Sequence, residues 1–341
     1  MGKIKIIAEA GVNHNGSIDR AHQLIDKATE CKATAIKFQT FKTKNLISSS
    51  APLATHHKKN IKERISHEDL ISRLEIPFEA FDELKKHCEK NQIEFLSTPY
   101  DIESANYLIN LGVNDIKIAS SELTNFPLLE VLAKSKKNLI LSTGMSSFEE
   151  ITDSINFIQN FNKSLTVLKC TSNYPSAFKD TNILGLEKIK NKFPTIKIGF
   201  SDHCVGPEAS ILAVAFGVDL IEKHFTLNKN DWGPDHKASL DFEQFKQFVT
   251  NIRNAELALG DKNWELSKEE LEQKKVMQKG TYAKKNIKKG EIITIEHVDF
   301  LRPIGSISPK DFYINYKNKV VYENIKIGQE IKKKYFEKRE N

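Results

Sequence analysis

Two lysines, several hydroxyls, two histidines and a carboxylate recur at matching places in this 341-residue sequence, each near the end of a short apolar run. Lys37 and Lys117, with the hydroxyls of Thr98, Ser120, Ser142 and Ser201, have the chemistry of a pocket for phosphate or carboxylate. His203 in "GFSDH" and His224 in "EKH" belong to successive runs and could place two imidazoles on one divalent metal, with Glu9 near by. His14, in "NHNG", reads as shaping its loop by hydrogen bonding. A buried charge needs a partner, a metal or a water-filled site to face. The stretch "LIEKHFTLNKNDWGPDH" (220–236) starts as a buried strand and then carries Glu222, Lys223, His224, Asp235 and His236. It must therefore border such a site.

Eight apolar runs are available to hold these groups: "KIKIIAEAG", "AIKFQTF", "EFLSTPY", "DIKIASSE", "NLILSTGM", "LTVLKCTS", "IKIGFSD" and "LIEKHFT". Stretches such as "SIDRAHQLIDKATECKA", "DIESANYLINLG" and "SFEEITDSINFIQNF" separate them, with apolar residues at three- and four-residue spacing. Strands rich in Ile, Val and Leu that alternate with helices predict parallel βα units, and eight of them fit a closed (β/α)8 TIM barrel. No GxGxxG turn follows the first strand, which argues against a dinucleotide-binding sheet. In such a barrel the carboxyl ends of the strands form the mouth that carries the active site. Here those ends hold Glu9; Lys37 and Gln39; Thr98; Lys117, Ser120 and Glu122; Ser142; Ser172 and Tyr174; Ser201 and His203; and His224. Polar groups at all eight ends point to an enzyme.

Composition narrows the class. Hydrophobic content of 39% and charge of 28% belong to an ordinary globular chain. No apolar run approaches the ~20 residues of a membrane span, and "MGKIKIIAEAG" lacks both a signal-peptide layout and a myristoylation site. The four cysteines show no CxxC spacing, so free thiols in a reducing cytoplasm are expected. The net charge of +6 comes from lysines interleaved with acids, as in "KKHCEKN", and not from a clustered nucleic-acid patch. A mildly positive field would help to gather a small anionic substrate.

Together "AEAGVNHNG", "KFQTF", "STPYD", "KIASSE", "LSTGM", "CTSNYP", "GFSDH", "EKHFTL" and "GPDHKASL" resemble the sialic acid synthase family, whose members are the N-acetylneuraminate, legionaminate and pseudaminate synthases. The resemblance runs from about residue 3 to the C-terminus. It implies condensation of phosphoenolpyruvate with an N-acylated amino-sugar aldehyde, giving phosphate and a nine-carbon 2-keto sugar acid. It also implies a divalent ion, manganese before magnesium or cobalt, on His203 and His224. Glu9 would stand at the reacting centre, with Lys37, Gln39, Thr98, Lys117, Ser120, Ser142, Ser172 and Ser201 around phosphoenolpyruvate. Glu122, Tyr174, Asp235 and Arg302 would hold the sugar. Glu222 and Lys223 would point to other faces, as an ion pair under the barrel.

"LKCTSNYP" and "KIASSE" lean toward pseudaminate synthases, "GVNHNG" and "GPDHKASL" toward the neuraminate and legionaminate branch. The acceptor stays open between N-acetylmannosamine and a diacetamido-trideoxyhexose. Outside the family, a metal-dependent barrel hydrolase would normally need three or more protein ligands. A non-catalytic saccharide-binding barrel would be expected to have lost a metal histidine or an anion-binding lysine.

The barrel is expected over residues 1–258 and a polar helical linker over 259–280. Residues 281–341 change to short strands and turns, with "KKGEIIT" as a hairpin-like signal. That last segment resembles the small antifreeze-like (SAF, β-clip) domain of sialic acid synthases, which implies a domain-swapped homodimer with Arg302 laid over the partner's barrel. The segment Thr43 to Phe78 is longer than a βα connection needs and reads as a lid or binding loop, with "HEDLISRLEI" helical. His56 and His57 are not expected to reach the site.

Overall fold

Side chains along a strand alternate between its two faces, and here both faces are buried. The computed structural model describes residues 3–48, 50–53, 57, 60–61, 63–261 and 263–338. Its strands are β1 (Lys5–Gly11), β2 (Ala35–Thr40), β3 (Glu94–Pro99), β4 (Asp115–Ile118), β5 (Asn138–Ser142), β6 (Leu165–Cys170), β7 (Lys197–Asp202) and β8 (Leu220–His224). All pair in parallel in the order β3-β2-β1-β8-β7-β6-β5-β4. β3 and β4 lie side by side. The architecture is a (β/α)8 barrel.

One set of strand residues, including Ile6, Ile36, Phe38, Ile116 and Ile221, packs under the surrounding helices in the main core. The alternate set fills the barrel in layers. Lys5 bridges Glu94 at 2.6 Å and Asp115 at 2.5 Å at the amino ends of the strands. An aliphatic layer of Ile7, Ala35, Leu96, Ile140, Leu168 and Leu220 follows. Two residues further along those same strands stand Glu9, Lys37, Thr98, Ser142, Cys170 and Glu222. The period of two thus stacks the polar layer directly on an apolar plug. Gly199 completes the plug because a Cβ there would lie 2.4 Å from Leu168 Cδ2 and 2.6 Å from the Leu220 carbonyl oxygen.

The helices begin where short polar residues can cap them. Ser17 accepts from the Arg20 amide ahead of helix Ile18–Glu30, and Asp101 accepts from the Ser104 amide ahead of Ile102–Asn110. Ser147 and Asp241 form capping boxes with Glu150 and Gln244. The long connection after β2 carries helices Thr43–Leu46 and His67–Leu74. It makes its own small core from Val12, Phe41, Ile61, Leu70 and Leu74.

By contact the chain divides into Met1–Asp261 and Lys262–Asn341. The second unit contains the polar helix Lys268–Met277, which buries none of its side chains, and an antiparallel pair, β9 (Gly280–Ala283) with β10 (Val298–Leu301). Ile287, Ile293, Phe312, Val321 and Ile331 belong to its core. The "KKGEIIT" stretch turns at Gly290 (φ +90°) but does not close a local hairpin: Ile292 bridges Val320 and Ile287 bridges Ile325. Among the described residues no helix is long and apolar enough to cross a membrane. All four cysteines are free and buried.

Candidate active site

A cavity of about 810 Å³ opens at the carboxyl ends of the strands. Two carboxylates and two ammonium groups, all buried, make its floor. Lys37 Nζ lies 2.9 Å from Glu9 Oε2 and 3.6 Å from Glu222 Oε2, and it donates to Thr98 Oγ1 at 3.0 Å. Lys117 Nζ lies 3.8 Å from Glu222 Oε1, which also accepts a 2.8 Å bond from Ser201 Oγ. Glu222 therefore sits between both lysines and points into the barrel. Lys223, next along the strand, faces the opposite way and pairs with Asp202 at 3.0 Å. The expected Glu222–Lys223 ion pair under the barrel does not form, because neighbouring strand residues point to opposite faces.

This arrangement divides the two carboxylates. Burial pushes Glu9 up to about 7, against the pull of Lys37. Burial also works to raise Glu222, but Lys117 and Lys37 outweigh it and hold it at about 2. At neutral pH one carboxyl is thus poised to hold or release a proton while the other stays charged. Burial lowers Lys117 below the usual ammonium range. Ser142 Oγ, on the cavity wall, is buried with no hydrogen-bond partner among the described residues.

Above the floor stand the two histidines. His203 follows β7 and His224 ends β8, with ring centroids 5.2 Å apart. Tyr174 packs against both, at 4.2 and 5.6 Å. His203 Nδ1 donates to the Thr171 carbonyl at 2.8 Å, which makes Nε2 the ring nitrogen left for a ligand. Burial works to lower this imidazole, but Cys170 and the Thr171 bond raise it above its usual range, so a metal there would displace a proton. Burial, then His203 itself, keeps His224 well below the usual imidazole range and so neutral; its Nδ1 is buried with no hydrogen-bond partner among the described residues. Two imidazoles, one with an unsatisfied ring nitrogen, fit an open divalent-metal position. Among the described residues no group of three or more His, Cys, Asp or Glu is placed to cage an ion.

Gln39, Ser120 and Ser172 also line the cavity, as do Tyr174 and Asp235. Asp235 is raised to about 6 by burial. Ser120 Oγ accepts the Gly144 amide at 2.9 Å. Two expected members are engaged elsewhere. Thr98 is buried and holds Lys37, and Glu122 accepts from Asn125 Nδ2 at 2.7 Å beside the mouth. Arg302 lies exposed in the second unit. His14 Nδ1 accepts the Gly16 amide, while Asn13 Nδ2 donates to the Phe225 carbonyl and Ser239 Oγ. "NHNG" therefore ties the first loop to the eighth.

Sequence reasoning missed several residues of the cavity. Glu222 was assigned to the wrong face. Cys170 ends β6 at 3.8 Å from His203 Nδ1; burial raises its thiol, but His203 and Lys117 bring it down to about 7. The signal for it was its place two residues beyond Leu168. His57, not expected here, lines the cavity with His67; His56 lies outside the described residues.

Residues 24–264 match the NeuB family. The chain belongs to the NeuB family. This NeuB chain is 42% identical over 329 residues to the N,N'-diacetyllegionaminic acid synthase of Campylobacter jejuni subsp. jejuni, covering 96% of this chain and 98% of that one. It is 35% identical to the pseudaminic acid synthase of the same organism, covering 98% and 97%. Among solved structures it is similar to the N-acetylneuraminic acid synthetase of Leptospira borgpetersenii serovar Hardjo-bovis in complex with citrate. There the TM-score is 0.69 and the identity 33%, over 80% of this chain and 90% of that one. As a NeuB member the protein is an enzyme, a condensing transferase of the phosphoenolpyruvate-dependent type.

Proposed function

We propose that this NeuB enzyme condenses phosphoenolpyruvate with a diacetamido-trideoxyhexose, releasing phosphate and a nine-carbon 2-keto sugar acid. The buried floor of Lys37 and Lys117 beneath two imidazoles carries this reading. The 42% identity to a diacetyllegionaminic acid synthase, over nearly the whole of both chains, supports the acceptor.

Lys37 and Lys117, with Ser142 and Ser201, offer charge and hydrogen bonds to the phosphate and carboxylate of phosphoenolpyruvate. Gln39, Ser120 and Ser172 extend that set, and Thr98 steadies Lys37. His203 and His224 would hold a divalent ion, manganese before magnesium or cobalt, which would polarise the acceptor's carbonyl as a Lewis acid. The C3 carbon of phosphoenolpyruvate then bonds to the aldehyde carbon, and water adds at C2. Loss of phosphate by C–O cleavage leaves the 2-keto acid. Glu9, held near neutrality, is the group to take the water's proton. Asp235 and Tyr174 face the acceptor's hydroxyls, with Glu122 at the margin.

The 262–341 unit is proposed to be the antifreeze-like domain, and the enzyme a swapped homodimer in which Arg302 serves the partner's site. Mixing inactive His224→Ala and Arg302→Ala proteins should then restore activity on subunit exchange; heterodimers that stay inactive would refute the swap. The reaction itself is tested by supplying phosphoenolpyruvate, manganese and each candidate amino sugar, and measuring phosphate and 2-keto acid. Phosphate should appear only with both substrates. Phosphate released from phosphoenolpyruvate alone, or no release with any of the sugars, overturns the reading.

A further inference from the structure

The cavity has a polar floor and, in the loops around its mouth, an apolar stretch of wall. The polar groups described above come from strand ends all round the barrel, Glu9 on β1 and Lys37 and Gln39 on β2 included. To that wall the loops that follow β1 and β2 add Val12, Phe41, Leu46, Ile47, Ile71 and Leu74, with His57 and His67 among them. Five of these six apolar residues come from the connection after β2, so that connection is a side of the active site and not a remote excursion.

Its described helices are anchored at defined points. Glu75 accepts from the Thr43 amide at 2.8 Å and the Thr43 hydroxyl at 2.7 Å, and pairs with Lys42 at 3.3 Å. Those bonds fix helix Thr43–Leu46, which ends in Leu46 and is followed by Ile47. Gly16, at φ +74°, packs so closely that a Cβ there would lie 2.5 Å from the Arg73 carbonyl oxygen. That contact sets the end of helix His67–Leu74, where Ile71 and Leu74 share a face three residues apart. Leu74 and Phe41 are buried, whereas Leu46, Ile47 and Ile71 are half-buried and meet the cavity. Beside them, His67 is engaged through Nδ1 with the Pro52 carbonyl at 3.0 Å.

We infer that this aliphatic wall selects the acceptor, receiving the methyl groups of a 6-deoxy, bis-N-acylated amino sugar and disfavouring a sugar that carries hydroxyls there. The inference rests on the synthase reading and adds the side chains that discriminate. Wall and floor share one cavity, so an acceptor whose carbonyl meets C3 of phosphoenolpyruvate at the floor has its remaining substituents to place against the mouth. A methyl buried on such a wall is worth roughly fourfold in affinity, and a hydroxyl forced against an apolar pocket is rejected by up to about a hundredfold. Discrimination between a diacetamido-trideoxyhexose and N-acetylmannosamine should fall between about tenfold and a hundredfold in kcat/KM.

The test compares both acceptors with wild type, Ile71→Val and the double variant Ile47→Thr/Ile71→Thr; threonine has the shape of valine, so Ile71→Val is the control for the methyl that is lost. Circular dichroism and the KM for phosphoenolpyruvate should be unchanged throughout. The wild type and Ile71→Val should favour the trideoxy sugar, and the double variant should bring the ratio within about threefold of unity. A wild type that prefers N-acetylmannosamine, or a ratio unmoved in the folded double variant, overturns the inference. Calorimetry with the two corresponding alditols, which lack the aldehyde and cannot react, separates it from the synthase reading. Discrimination between alditols without turnover of either aldehyde sustains the wall and sinks the synthase. Turnover without discrimination does the reverse, and the loss of both refutes both.

Discussion

Lys223→Met is the sharpest probe of how the barrel is held. Lys223 and Asp202 are almost wholly inaccessible and lie 3.0 Å apart. Lys223 Nζ also donates to the carbonyls of Cys204 at 2.5 Å and Gly206 at 3.1 Å, while Asp202 accepts from the Cys204 amide at 2.8 Å and Ser210 Oγ at 2.6 Å. Every charge in this strut is paired, and the strut fixes the turn that follows His203. Methionine would keep the volume but strip Asp202 of its counter-charge in the interior. Removing one partner of a buried pair costs about 3–5 kcal/mol. The two surviving donors to Asp202 place the loss toward the lower figure. Unfolding entropy of about 2.1 cal/mol/K per residue gives about 0.55 kcal/mol/K for the 261-residue unit, so Tm should fall by about 5–9 °C. Thermal unfolding followed by circular dichroism at pH 7 measures it. The double variant Asp202→Asn/Lys223→Met should recover part of the loss, because no charge is then left unpaired. A drop below about 2 °C, or a double variant no better than the sum of the singles, would refute the reasoning.

Lys117→Met should lower kcat/KM for phosphoenolpyruvate by about tenfold to a hundredfold, the worth of one charge-assisted contact, and leave the acceptor's KM nearly unchanged; steady-state kinetics with each substrate varied decides it. Chelation should silence the enzyme and manganese restore it, whereas full turnover in the chelated protein would remove the metal from the reaction. Glu9 titrates near 7 in the fold against an ordinary 4.5, so the native state keeps a proton that the unfolded chain has shed. Its contribution to stability is complete below about 4.5 and is lost as pH rises through 7; the Tm of Glu9→Gln relative to wild type should rise between pH 5 and pH 8, and a constant difference would contradict the assignment. Gly199→Ala should destabilise the barrel by about 1–3 kcal/mol through overpacking against Leu168 and Leu220, read from chemical denaturation.

The eight strands were legible because each is a short Ile-, Val- or Leu-rich run between amphipathic stretches, and their carboxyl ends followed from the fold. Which face of a strand looks inward was not legible where both faces are buried, since a fully buried strand loses the polar–apolar alternation that marks the outside. Glu222 and Lys223 show the ambiguity, and a shift of one residue exchanges the two faces. Thr98 and Glu122 illustrate a second limit: standing at a strand end does not say whether a hydroxyl or carboxylate meets the cavity or a neighbouring side chain. The connection after β2 resisted for a third reason. Its course depends on Glu75 reaching Thr43 and on Gly16 admitting Arg73, contacts between distant positions that no local periodicity encodes.

Because Glu222 already stands between Lys37 and Lys117, the floor of the cavity is internally compensated before any substrate arrives. An entering anion must compete with a resident carboxylate for the same two cations. Singly charged anions gain little from that exchange, whereas a molecule carrying both a phosphate and a carboxylate can outbid it. The displaced charge on Glu222 then favours proton capture, so binding should draw protons from the buffer and its measured heat should vary with the buffer's ionisation enthalpy. The enzyme would in this way act as an ion exchanger, screening out the small inorganic anions abundant in its surroundings without closing the barrel to them.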